Sequence, residues 1–75
     1  MGNKIRVGVF GGGGAGHHHL EAFTHMSEEV EIVGVAEINQ TRGEQLVSEF
    51  GITYYNSVGS LISAGLDLGV VALPH

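Results

Sequence analysis

Gly11, Gly13, Gly16 and Glu37 are the residues of this chain whose types and spacing could do chemistry. The glycines stand in a G-x-G-x-x-G spacing, within GGGGAG, between an apolar run, IRVGVF, and a stretch with helical periodicity. In that arrangement the first glycine makes a tight turn, and the second lets the backbone approach a pyrophosphate with no side chain in the way. The third lets the following helix pack closely on the strand. The N–H groups at the start of that helix, around Gly14 and Ala15, lack partners within the helix and carry the positive end of its dipole, so an anion belongs there. A second apolar run, EIVGVA, leads into Glu37. The acid lies about 20 residues past the loop, where a carboxylate can accept two hydrogen bonds from an adenosine ribose. A flexible glycine linker is the plainer reading of GGGGAG, but linkers are rarely bracketed by strand and helix patterns.

The elements that must position these residues alternate along the chain. Ile5, Val7, Val9 and their neighbours form the nearly continuous apolar run of a parallel strand covered on both faces. A first helix is predicted over 14–26, with Leu20, Phe23 and Met26 toward the sheet. A second strand follows over 31–36. Asn39 or Thr41 can cap the second helix, Thr41 with Glu44 fits a capping box, and Leu46, Val47 and Phe50 supply its buried stripe. Gly51 stops that helix. Gly43 inside it costs about 1 kcal/mol relative to alanine, with no reason visible in the sequence. Residues 53–55 read as a third strand. Ser57 caps a short third helix that ends at Gly65, and 68–73 form strand four. Right-handed crossovers then give an α/β fold, a Rossmann-like parallel sheet of order 3-2-1-4 and the first part of a dinucleotide-binding domain.

Composition narrows the function. Seventy-five residues make at most one small domain. A net charge of -5 offers no footprint for nucleic acid or an anionic membrane. Without cysteine there are no disulfides, thiolate metal sites or thiol nucleophiles. No apolar run reaches the length of a membrane span and no signal peptide is visible, so a cytoplasmic protein is expected.

The remaining polar residues have plain readings. His17, His18 and His19 are consecutive on a helix, so their side chains fan out at about 100° steps and do not converge on one ion; no metal is expected. Asp67 and Glu21 read as solvated surface carboxylates. For Tyr54 and Tyr55, a stacking surface competes with core packing, in which one packs inward and the other lies at the edge; core packing is favoured.

With these motifs in place, the chain resembles the N-terminal portion of the glucose-fructose oxidoreductase / inositol dehydrogenase / rhizopine catabolism (Gfo/Idh/MocA) family of NAD(P)-dependent oxidoreductases. The family opens with a pattern like KIRVGVIGxGGxGxxHLxAF, and residues 4–23 read KIRVGVFGGGGAGHHHLEAF. It continues through VAVADxxxxxAExLAxEFGI, matched by IVGVAEINQTRGEQLVSEFGI, and closes strand four with DxVVIATPxxxH, matched by DLGVVALPH. The resemblance implies NAD as cofactor, with NADP possible. It assigns the cofactor-binding positions to Gly11, Gly13, Gly14, Ala15, Gly16, Glu37, Leu73 and Pro74. Pro74 corresponds to a turn proline near the nicotinamide, His19 to the histidine of the opening pattern, and Leu73 stands where the family usually has a threonine or serine.

The resemblance further implies an oxidoreductase that moves a hydride between the nicotinamide and a secondary alcohol of a sugar, polyol or similar small molecule, in a homo-oligomer. The family's catalytic Glu-Lys-Pro segment and its C-terminal substrate domain do not occur in residues 1–75. The chain is therefore expected to be the N-terminal part of a longer enzyme, inactive alone and with no catalytic residue assigned. A non-catalytic nucleotide-sensing module on the same fold is the alternative, because fold alone does not separate the two. A flavin or methyl-donor site fits less well.

Overall fold

The computed structural model describes residues 4–11 and 14–72, with the side chains of 14 and 15 outside the description. The elements follow as β1 (Ile5–Phe10), α1 (Gly14–Thr24), β2 (Val30–Ala36), α2 (Gln40–Phe50), β3 (Thr53–Tyr55), α3 (Val58–Ser63) and β4 (Leu68–Val71). The strands are parallel and their order is β3-β2-β1-β4, as the alternation of elements predicts. Val7 pairs with Ile32 and Gly8 with Gly34, so the register slips between them and leaves Val33 unmatched in β2.

Side chains alternate across the strands, and this divides the interior in two. On one face Val9 and Val35 pack with Leu20 of α1 and Leu46 of α2, surrounded by Phe23, Ile32, Phe50, Ile52 and Tyr54. Burying each of these leucines contributes about 1.5–3 kcal/mol. On the other face α3 lies close to the sheet. Gly8 is in register with Gly34 on one side and Gly69 on the other. Leu66, Tyr55 and Phe10 lie so close over the three that an added Cβ would come within 2.7, 2.6 and 2.6 Å of them, respectively.

Caps and stops follow local chemistry. The Asn39 side chain accepts from the Arg42 N–H at the start of α2, and Ser57 accepts from the Ser60 N–H at the start of α3. Gly51 closes α2 in the left-handed region, at φ 67°, with its N–H on the Val47 carbonyl.

The structure corrects three local expectations. Thr41 lies inside α2, so the capping box is not formed; Glu44 instead accepts from Gln40 at 3.0 Å. α1 ends at Thr24 and the chain turns tightly through His25 and Met26, whose N–H groups bond to Ala22 and Phe23. Met26 therefore leaves the apolar stripe and is 43% exposed. Asp67 is more than a solvated carboxylate. It accepts from the Arg6 N–H at 2.9 Å while its own N–H donates to the Arg6 carbonyl at 2.8 Å, which fastens the start of β4 to β1.

The Arg6 side chain completes this amino-end arrangement. Its guanidinium donates to the carbonyls of Gly65 at 2.8 Å and Ala64 at 3.0 Å, closing the end of α3, and to Glu31 at 3.1 Å. Among the described residues, no helix is long and apolar enough to cross a membrane.

Candidate functional site

The carboxyl ends of β1, β2 and β4 meet where the glycine loop begins. The Gly11 N–H donates to the Ala36 carbonyl at 2.8 Å, tying the turn to the residue before Glu37. The Ala72 N–H donates to the Phe10 carbonyl, also at 2.8 Å. Gly11 has φ 100°, and a Cβ on it would stand 2.5 Å from the Ala72 carbonyl oxygen. A Cβ on Gly16 would fall on the carbonyl oxygen of Gly11. Both positions therefore require glycine, the first for its backbone conformation and both for want of space. This close approach brings the first turn of α1, which includes Gly14, Ala15 and Gly16, against the end of β1. The first-turn N–H groups have no partner within the helix, which is the chemistry of an anion cradle.

Glu37 follows the last residue of β2 and is half-buried. Its N–H donates to the Tyr55 carbonyl at 3.1 Å, and its carbonyl accepts from the Tyr54 hydroxyl at 2.7 Å. Its carboxylate accepts from the Asn39 N–H at 2.8 Å. This hydrogen bond helps set the direction of the carboxylate. Ile38, next in the chain, is 94% exposed and presents an apolar surface beside the acid. Arg42, in the first turn of α2, is also exposed.

The structure thus brings Gly11, Gly14, Ala15, Gly16 and Glu37 to one edge of the sheet. Gly13, Leu73 and Pro74 lie outside the described residues, as does His75. The donor set fits a dinucleotide in kind: side-chain-free backbone and a helix start suited to a pyrophosphate, with an oriented carboxylate suited to a ribose diol.

The histidines divide between elements. His17 contacts Glu49 at 2.7 Å and sets its ring edge-on to Phe50, with centroids 5.2 Å apart, so it joins α1 to α2. His18 is exposed and its ring lies 6.3 Å from that of His19, which is half-buried. Among the described residues no group of three or more His, Asp or Glu is placed to hold a metal ion.

Sequence reasoning passed over Tyr54 and Ile38 at this edge. The tyrosines occupy opposite faces: Tyr54 packs on the core cluster, while Tyr55 covers Gly34. Gly43 held the signal for Tyr54, because a Cβ there would run into ring carbons of that tyrosine. The unexplained helix glycine makes room for the ring.

Comparison with known proteins agrees with this fold. The family model of the Gfo/Idh/MocA oxidoreductases, described as oxidoreductase family, NAD-binding Rossmann fold, matches residues 5–75. A glucose-6-phosphate 3-dehydrogenase from Bacillus subtilis (strain 168) is 36% identical over 70 residues, which are 93% of this chain and 19% of that protein. The crystal structure of GenD2 from gentamicin A biosynthesis in complex with NAD superimposes with a TM-score of 0.86 at 27% identity, over 99% of this chain and 21% of that one. The WlbA dehydrogenase of Bordetella pertussis, solved with NADH and UDP-GlcNAcA, gives a TM-score of 0.86 at 25% identity, over 96% and 22%. The chain spans about a fifth of the length of these relatives. A family match that begins with the first strand and runs to residue 75, together with a sheet that superimposes on NAD complexes, shows that the chain belongs to the oxidoreductase family with the NAD-binding Rossmann fold.

Proposed function

We propose that residues 1–75 are the N-terminal, cofactor-holding part of an oxidoreductase that moves a hydride between a nicotinamide dinucleotide and a secondary alcohol carbon of a sugar, polyol or similar small molecule. The observation that carries the cofactor reading is the junction of the glycine turn with Glu37 through the Gly11–Ala36 hydrogen bond. The sugar-like substrate rests on the activity named for the Bacillus subtilis relative.

In this reading the start of α1 receives the pyrophosphate and Glu37 receives the adenosine ribose hydroxyls, while Ile38 lies against the adenine. The family resemblance assigns Gly13 to pyrophosphate binding and Leu73 and Pro74 to the nicotinamide end of the cofactor. When bound, the cofactor supplies the hydride chemistry; the residues of this chain bind and orient it. The only lysine of the chain, Lys4, precedes β1 at the opposite edge of the sheet, so proton transfer and the substrate pocket are assigned to polypeptide beyond residue 75. The parent enzyme is proposed to be a cytoplasmic homo-oligomer.

NAD is the proposed cofactor. A 2′-phosphate on the ribose would meet the Glu37 carboxylate with like charge and remove a hydroxyl that it binds. Arg42 is the residue that could favour NADP, but Glu37 lies nearer the strand end where the ribose belongs. The preference is worth about 1–3 kcal/mol, the usual cost of leaving a polar or charged group badly paired. Calorimetric titration of NAD and NADP into the wild-type protein and Glu37→Ser tests it. Tighter NAD binding is expected in the wild type, with a relative gain for NADP in the variant. Equal wild-type affinities, or no relative gain, would remove Glu37 from the ribose site.

A further inference from the structure

Glu37 lies one residue past the β2–β3 ladder, whose last pair is Ala36 with Tyr55. Beyond that pair, β3 still holds both backbone polar groups of Glu37: the Tyr55 carbonyl takes its N–H, and the Tyr54 hydroxyl donates to its carbonyl at 2.7 Å. The second of these is a side-chain contact and so depends on where the Tyr54 ring sits. Gly43 decides that. The ring rests where a side chain at 43 would be, with Cγ 2.9 Å from the position of an added Cβ and two further ring carbons closer still.

Gly43 also belongs to the segment that Glu37 begins. Its N–H donates to the Asn39 carbonyl at 3.0 Å, Asn39 caps α2, and the Asn39 N–H donates to the Glu37 carboxylate at 2.8 Å. The tyrosine therefore bears on both ends of the stretch from 37 to 43, through its hydroxyl at one end and its ring at the other.

We infer that Tyr54 is a positioning residue for cofactor choice: its hydroxyl, seated by the absence of a side chain at Gly43, fixes the backbone of Glu37 and thereby the direction of the carboxylate that selects an unphosphorylated ribose. This inference rests on the reading of Glu37 as the ribose acid. A small residue at 54 would remove the hydrogen bond to the Glu37 carbonyl together with the ring packing. A phenylalanine would keep the ring packing and remove the donor, which isolates the contribution of the hydroxyl.

The test is a double-mutant cycle on the NAD-to-NADP affinity ratio, measured by titration on wild type, Tyr54→Phe, Glu37→Ser and the double variant, with thermal melting of each. Loss of one hydrogen bond predicts that Tyr54→Phe lowers NAD affinity about 2- to 10-fold and shrinks the ratio by a similar factor. In the Glu37→Ser background Tyr54→Phe is expected to leave the ratio unchanged. If Glu37→Ser shifts the ratio and Tyr54→Phe does not, the inference falls and the ribose reading stands. If Glu37→Ser shifts nothing, both fall. A Tyr54→Phe protein that binds both cofactors equally more weakly, or that no longer folds, would assign the hydroxyl to stability and overturn the inference.

Discussion

At the amino ends of the strands, Arg6 spans the gap between β1, β2 and the end of α3 with one long side chain, whereas at the carboxyl ends Gly11 and Gly16 bring backbone against backbone with no side chain between. The amino end uses its charge internally. The guanidinium donates to two carbonyls and to Glu31, and the Asp67 carboxylate receives the Arg6 N–H. At the carboxyl end the polar groups belong to the start of a helix, whose first N–H groups have no partner within it. The difference teaches where to look for function: a charge that closes a helix end and pairs across strands serves the fold, while a turn cleared of side chains exposes peptide groups to a ligand.

Substitutions at the two ends should break this comparison in different ways. Gly16→Ala should have the largest effect, because the new methyl meets a backbone carbonyl that cannot rotate away. Overpacking of this kind costs about 1–3 kcal/mol or more, in a chain whose total stability is of the order of 0.1 kcal/mol per residue. Circular dichroism melting should show a large loss and titration should show no NAD binding. A variant that melts and binds like the wild type would contradict the backbone contact.

Gly43→Ala comes next. Helix propensity alone favours alanine by about 1 kcal/mol, but the added methyl must displace the Tyr54 ring, so a net loss of about 1–2 kcal/mol is expected. In a Tyr54→Ala background the same substitution should become stabilising. Stabilisation in both backgrounds would show that the ring does not need the glycine.

Arg6→Met should have an effect no larger than that of Gly43→Ala, and of a different character. It removes hydrogen bonds worth about 1 kcal/mol each and a half-exposed pair with Glu31 worth less than about 1 kcal/mol, while methionine retains part of the stem packing. Chemical denaturation should show a loss of about 1–2 kcal/mol, and the NAD dissociation constant should stay at its wild-type value. A fall in cofactor affinity without a fall in stability would mean that the two ends are coupled through β1.

The same contrast explains what could be read from the sequence. The strands, helices, sheet order and stops at Gly51 and Gly65 follow from periodicity and from residues adjacent in the chain. Gly11, Gly16 and Glu37 were legible as a candidate site because a glycine turn and the acid after the second strand keep a fixed spacing. Arg6 with Asp67 and His17 with Glu49 were not legible: each joins residues far apart in sequence, and nothing local distinguishes a paired carboxylate from a solvated one. Asn39 prevailed over Thr41 as the cap because α2 starts at Gln40. Gly43 lies between these cases, a visible local anomaly whose reason is a ring on a neighbouring strand.

Among the described residues β4 has one hydrogen-bonded neighbour, β1, and Leu68 and Val71 along it are 48% and 59% exposed. A strand edge flanked by apolar side chains is a template on which another strand can pair. If that edge pairs in the 75-residue polypeptide, folding and self-association become linked equilibria, and its melting temperature should depend on concentration. Sedimentation at micromolar concentration should show dimers or larger species, with a melting temperature that rises on concentrating the sample. A monodisperse monomer with a fixed melting point would mean that this edge is protected. If the edge does pair, the energetic cost of any substitution in this chain has meaning only at a stated protein concentration.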